Sequence, residues 1–190
     1  FLVKSTENPT KEHAMQQPIF DHFQKRIEST MALAELCSEQ LPAAVELLTE
    51  RLLAGGKVFV YAEPALLGLA QATEDFLLFG DKLPRPPFPA TTLGRNPTEQ
   101  FQQFACQQDI LLVLTGDNPC LQRAELLAES SRIGTATLEL TNSAVAAEPA
   151  SQYTVTFNRG DTQAVELVNS QLEALQCLYS LVDHQIFGAQ

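Results

Sequence analysis

Val58-Phe59-Val60-Tyr61-Ala62-Glu63-Pro64-Ala65-Leu66 reads as a short buried strand running directly into a helix. Its first half is apolar and rich in β-favouring side chains, the pattern of a strand covered on both faces of a parallel sheet. Pro64 suits the first turn of the helix that follows. In an open α/β sheet this junction is where a ligand is usually held, because the carboxyl ends of the strands open there. A phosphate site at that place needs free backbone N–H groups and a close approach to the helix. Pro64 removes a donor, Glu63 puts a negative charge at the mouth, and Leu66 offers only apolar surface. The turn has no glycine, side-chain hydroxyl or positive charge, so the usual anion chemistry is withdrawn from this scaffold.

Outward from this junction, strands and helices alternate. Upstream, Phe20, Phe23, Ile27, Met31 and Ala34 recur every three or four residues, which predicts an amphipathic helix over Pro18–Glu39. A second helix is expected from Leu41-Pro42 through Val45, Leu48 and Leu52 to a stop at Gly55-Gly56. Downstream, the proline-rich run from Leu83 to Pro89 is a stiff connector into a strand at Ala90–Leu93. A short helix near Pro97–Gln107 precedes the central strand at Asp109–Thr115, and Pro119 opens the next helix. Thr135–Leu140 and Tyr153–Phe157 read as two further strands, with a loop at Asn142–Gln152 between them.

The C-terminal segment carries the most regular pattern. Val165, Val168, Leu172, Leu175, Tyr179, Val182 and Ile186 form a helical stripe, widened by Leu167, Leu178 and Leu181. So broad an apolar surface predicts an interface helix in a homodimer or homotetramer, the other reading being burial within the chain.

The 190 residues suit one domain: an N-terminal extension over residues 1–17 and a single domain over 18–190. Twelve Lys and Arg against 23 Asp and Glu give a formal charge of −11, which disfavours direct nucleic-acid binding and attraction to anionic lipid. No run approaches the roughly 18 apolar residues of a membrane span. The N-terminal residues lack a basic region followed by a long apolar core, so a cytoplasmic location is expected. Cys37, Cys106, Cys120 and Cys177 show no CxxC spacing and no compact pattern with the three His residues, so neither a metal site nor a disulfide scaffold is expected. Cys120, close to a predicted helix start, reads as an incidental thiol beside the acidic Asp117.

Leu53-Ala54-Gly55-Gly56-Lys57-Val58-Phe59-Val60 resembles the entry to a sugar isomerase (SIS) domain, in particular that of the phosphoheptose isomerase group. Phe88-Pro89-Ala90, Asp109–Thr115 and the terminal Leu181-Val182-Asp183-His184-Gln185-Ile186-Phe187 extend the similarity over nearly the whole chain in order and spacing. The resemblance implies an α/β three-layer sandwich with a five-stranded parallel sheet, N-terminal helices, a long C-terminal interface helix and an oligomer. Typical members bind phosphorylated sugars, and no cofactor is expected for this chain.

This chain departs from the resemblance where the ligand would sit. Ala62, Glu63, Pro64, Ala65 and Leu66 replace a Gly/Asn/Gly/Ser phosphate loop, and Thr115-Gly116-Asp117-Asn118-Pro119-Cys120 replaces a Ser/Thr-rich loop. The positions implied for the catalytic Glu and His fall on Phe76 and Gln171, and neither side chain is a general base near neutrality. The interval from Ala90 to Asp109 is also short for a loop that would help surround a sugar. A degenerate, non-catalytic SIS-domain protein acting as an interaction or regulatory module is the leading expectation. The replication-initiator-associating branch, also similar, implies a replication initiator or another protein as partner. A sugar-binding module is the alternative, its candidate contacts being Glu63, Pro64, Leu66, Thr91, Thr92, Thr115, Gly116, Asp117 and Asn118. A third reading is residual sedoheptulose-7-phosphate isomerase activity using Glu74, Asp75, Glu166 or His184.

Overall fold

The computed structural model describes residues 9–80, 84–116, 120–141, 151–157 and 164–188. Helix α1 (Pro9–Leu53) leads into β1 (Val58–Ala62), and a 3-10 turn at Pro64–Leu66 passes into α2 (Leu67–Phe79). There follow β2 (Ala90–Thr92), α3 (Pro97–Phe104), β3 (Ile110–Leu114), α4 (Leu121–Ile133), β4 (Ala136–Thr141), β5 (Tyr153–Thr156) and α5 (Ala164–Phe187). The strands form one parallel sheet in the order β2-β1-β3-β4-β5. The five-stranded α/β sandwich expected from the sequence is therefore present.

Alternation along the strands divides the core into two layers. Val58, Val60, Ala62, Ile110, Leu112 and Leu114 face α1, α2 and α5, while Phe59, Tyr61, Leu111 and Val113 face α3 and α4. β3 sits at the centre and is buried over its whole length, as its unbroken apolar run requires.

The two helices predicted upstream of β1 are one. α1 runs without a break through Pro18 and Pro42. Proline removes one helical N–H, but Pro42 is exposed, where water can serve the carbonyl left free. Leu33, Cys37 and Leu41 before it and Ala44 and Leu48 after it are anchored in the same core, so both halves are held on one axis. The predicted stop holds. Gly56 N–H donates to Arg51 O at 2.9 Å and Gly55 N–H to Leu52 O at 3.0 Å, with Gly55 at φ 81°, a left-handed residue closing the helix.

Much of the apolar stripe of α5 is covered inside the chain, the other reading that the sequence left open. Leu175, Tyr179 and Val182 are buried, and Val168, Leu172 and Ile186 pack half-buried against the same core. Neighbouring α1 and α2 supply the cover, α1 being tied to α5 by Arg26 Nη2–Glu173 Oε1 at 3.1 Å and by Thr49 Oγ1–Gln185 Oε1 at 3.0 Å. The side chain of Val165 lies outside the described residues. The bare surface is on α1 instead: Phe20, Phe23, Ile27 and Met31 are 67%, 63%, 62% and 65% exposed. The apolar face read in the sequence is real, but these four side chains on it are left mostly bare by the described residues.

Candidate functional site

The chain runs from β1 to β2 on one side and returns to β3 on the other, so the sheet switches direction between β1 and β3. A crevice at such a point is the usual ligand position of an open α/β sheet. Glu63 prolongs β1 there, its N–H donating to Leu114 O at 3.1 Å, and its own carbonyl accepts from Leu66 N–H at 2.8 Å as the chain turns into α2.

Side chains of the protein itself occupy the end of β3. Glu63 Oε2 accepts the Gly116 N–H at 2.8 Å, while Gln171 Nε2 donates to Thr115 O at 2.8 Å and to Leu140 O at 3.3 Å. Thr115 O and Gly116 N belong to one peptide unit, which is therefore held at both ends. A Cβ at position 116 would stand 3.3 Å from Glu63 Oε2 and 3.5 Å from Leu167 Cδ2, so the carboxylate's close approach suits glycine. Both partners of the Gln171 amide nitrogen are carbonyl oxygens, which fixes the orientation of that amide. Among the described residues Glu63 Oε1 and Gln171 Oε1 are buried without a hydrogen-bond partner.

On the opposite face lies a fully buried ion pair. Arg123 Nε meets Glu139 Oε1 at 2.6 Å and Arg123 Nη2 meets Glu139 Oε2 at 2.5 Å. The Thr115 and Ser151 hydroxyls each donate to Glu139 at 2.9 Å. This pairing satisfies the carboxylate in the core and joins the ends of β3 and β4 to α4.

Nearby, Cys120 stands just before α4 without capping it through its side chain, and its Sγ lies 3.0 Å from the Tyr61 hydroxyl. Burial, followed by this contact, holds the Tyr61 phenol above its ordinary range. No spacing in the sequence announced the Tyr61–Cys120 contact, which comes from packing α4 across β1.

The other candidate residues do not gather around the crevice. Thr92 is engaged through both its groups, its N–H donating to Glu74 Oε2 at 2.9 Å and its hydroxyl to Ala70 O at 3.3 Å. Glu74 thus serves the end of β2, and Asp75 is exposed, accepting from Gln71 one turn earlier. Thr91 and Pro64 are exposed, Leu66 is buried, and Phe76 packs half-buried with its ring 6.3 Å from that of Tyr179. Glu166 and His184 lie in the first and last turns of α5, about 27 Å apart along its axis at the rise of a helix, too far to act on one substrate. Gln171 is in the core. Asp117 and Asn118 lie outside the described residues. Among those described, no cluster of three His, Cys, Asp or Glu is placed to hold a metal, and no helix is long and apolar enough to cross a membrane.

Solved structures share this fold. A phosphoheptose isomerase from Francisella tularensis superposes with a TM-score of 0.71 at 20% identity, over 90% of this chain and 98% of that one. One from Neisseria gonorrhoeae gives 0.70 at 13% identity, over 89% and 98%. The sugar isomerase domain of an RpiR transcription factor from Sphaerobacter thermophilus gives 0.61 at 16% identity, over 86% and 89%. No protein-family model matches the sequence, and no curated protein does. The chain has the sugar isomerase fold, as its sequence motifs implied.

Proposed function

We propose that this chain is a non-catalytic SIS-fold protein that works in the cytoplasm as an oligomeric interaction or regulatory module. The observation that carries this reading is the Thr115–Gly116 peptide gripped by Glu63 and Gln171. The amide that an anionic sugar would need is taken by a carboxylate, and the position implied for the catalytic His is a core glutamine holding strand ends. Proton transfer between adjacent carbons needs an acid and a base within reach of one substrate. That Glu74 is engaged by the Thr92 N–H, and that Glu166 and His184 stand at opposite ends of α5, supports this reading. The likeness to the sugar isomerase domain of a transcription factor supports a regulatory use of the fold.

The bare stripe of Phe20, Phe23, Ile27 and Met31 is the surface on which copies associate in this reading, as a homodimer or homotetramer. The formal charge of −11 favours a basic face on any further protein partner, a replication initiator among them. Two measurements test the reading. Purified oligomer incubated with sedoheptulose 7-phosphate and a panel of sugar phosphates should form no product, and measurable isomerisation sinks it. Light scattering should show a single oligomer that Ile27→Asp dissociates. Burial of one such side chain is worth roughly 1.5–3 kcal/mol, so each copy's loss weakens association more than tenfold.

A further inference from the structure

Helices α1 and α5 lie side by side and run in the same direction, because two ties along their seam ascend together. Thr30 Oγ1 donates to Glu173 Oε2 at 3.2 Å, and Thr49 Oγ1 to Gln185 Oε1 at 3.0 Å. Between these ties each helix carries one cysteine, Cys37 on α1 and Cys177 on α5. Cys37 follows Thr30 by seven residues, two turns along the same face and about 10 Å along the axis. Cys177 follows Glu173 by four residues, one turn along the same face and about 6 Å. Long side chains lean toward the start of their helix, so Glu173 reaches back to Thr30 and its own Cα stands further along the seam. That offset makes up the difference between the two rises, and the cysteines come to the same level.

With helix axes about 8–10 Å apart and Cα atoms about 2.3 Å from each axis, facing Cα atoms are roughly 3–5 Å apart, and those on the flank of the seam somewhat further. A disulfide spans about 4.4–6.8 Å between Cα atoms. Cys37 is buried and Cys177 is exposed, so the pair straddles the edge of the seam, one thiol inside and one reachable from solvent. Burial is the first influence on the Cys37 thiol, and the neighbouring groups that add to it are Cys177 and then Glu173, as this placement requires.

We infer that Cys37 and Cys177 form a reversible thiol–disulfide pair, which staples α1 to α5 when the protein meets a low-molecular-weight disulfide such as oxidised glutathione. The inference is independent of the non-catalytic reading. Cys177, as thiolate, attacks one sulfur of the small disulfide, whose S–S bond breaks; a mixed disulfide forms on Cys177 and one small thiolate leaves. Cys37 then attacks the Cys177 sulfur and the second small thiolate leaves. The two protein thiols are oxidised, the small disulfide is reduced to two thiols, and the protons lost by the cysteines end on them. Cys37 holds its proton up to about pH 11, which makes the second step the slow one and speeds it as the pH rises toward that value. The closed pair fixes the helix that presents Phe20, Phe23, Ile27 and Met31 covalently to the domain, across a loop long enough to restrict the unfolded chain strongly.

The test incubates the folded full chain with oxidised glutathione and follows it by intact mass, non-reducing peptide mapping and thermal melting. The unaltered protein should lose the mass of two hydrogen atoms, yield one peptide pair joined through Cys37 and Cys177, and melt several degrees higher until reductant returns it to the starting value. Cys177→Ser should form no such link and show no rise. Cys37→Ser should stop at the mixed disulfide, gaining one glutathione on Cys177. A mixed disulfide on Cys177 that the unaltered protein never resolves overturns the inference, as does a link through Cys106 or Cys120 instead, one that forms only in urea, or one that leaves the melting temperature unmoved or lower. If Cys37→Ser fails to fold, Cys177→Ser, altered at an exposed position, decides the matter against the unaltered protein on the same criteria.

Discussion

Glu63 and Gln171 hold opposite ends of a single peptide unit, the carboxylate on the Gly116 N–H and the amide on the Thr115 carbonyl. One residue follows β1 and the other sits on α5, so this pair ties the first strand, the central strand and the last helix at one point.

Gln171 should therefore matter for stability and contribute nothing to turnover. Gln171→Leu removes the donor shared by Thr115 O and Leu140 O, and a buried group left short of its partner costs about 1–3 kcal/mol. Urea unfolding should show a loss of that size. Gln171→His should give no isomerase activity, since the carboxylate on the same peptide unit, Glu63, is engaged by the Gly116 N–H; product formation by that variant would show that the site needs only one substitution to work.

The Arg123–Glu139 pair should behave as a buried charge pair does. Arg123→Met strands the Glu139 carboxylate at 2% exposure and should cost roughly 3–5 kcal/mol. Adding Glu139→Leu should recover much of that loss in equilibrium denaturation, because the uncompensated charge has then gone. Additive losses in the double variant would mean that the two residues act separately.

Two glycines give opposite expectations. A methyl at position 56 would lie 2.2 Å from Gln108 O and 3.0 Å from Arg51 O, both backbone atoms, so Gly56→Ala should destabilise by about 1–3 kcal/mol or more. A methyl at Gly68, near the start of α2, meets nothing within 4 Å, and Gly68→Ala should stabilise by up to about 1 kcal/mol. Thermal melts of the two variants should move in opposite directions.

Burial, then the neighbouring Cys177 and Glu173, push the Cys37 thiol from 9.0 up to about 11. The unfolded chain releases this proton near pH 9.0 while the folded chain keeps it to about pH 11, so between those values the unfolded state binds fewer protons. Its contribution to stability is complete below pH 9 and declines as the pH rises through that window. Tyr61 and Tyr179, both raised by burial, act in the same direction at still higher pH. Cys37→Ala should flatten the alkaline loss between pH 9 and 11, and an unchanged slope would show that the thiol is not its source.

The β1 and β3 strands were legible in the sequence because each is a short apolar run between turn residues, and both formed where expected. Pro42 misled, because a helix break is a local inference and the core on either side of that residue overrides it. The α5 stripe was read correctly as a helix, but its cover by α1 and α2 was not legible, since periodicity reports that a face is apolar and not what packs on it. That Glu63 and Pro64 follow β1 could be read from the sequence alone. The hydrogen bond from Gly116 to Glu63 could not, because it spans 53 positions and depends on how strand ends align.

The outermost strands are short. β2 is three residues long and β5 four, so neither margin of the sheet offers a length of unpaired backbone on which a neighbouring molecule could add a strand. Among the described residues, margins this short disfavour fibre growth by strand recruitment, and the exposed apolar face of α1 is better suited to ordered assembly.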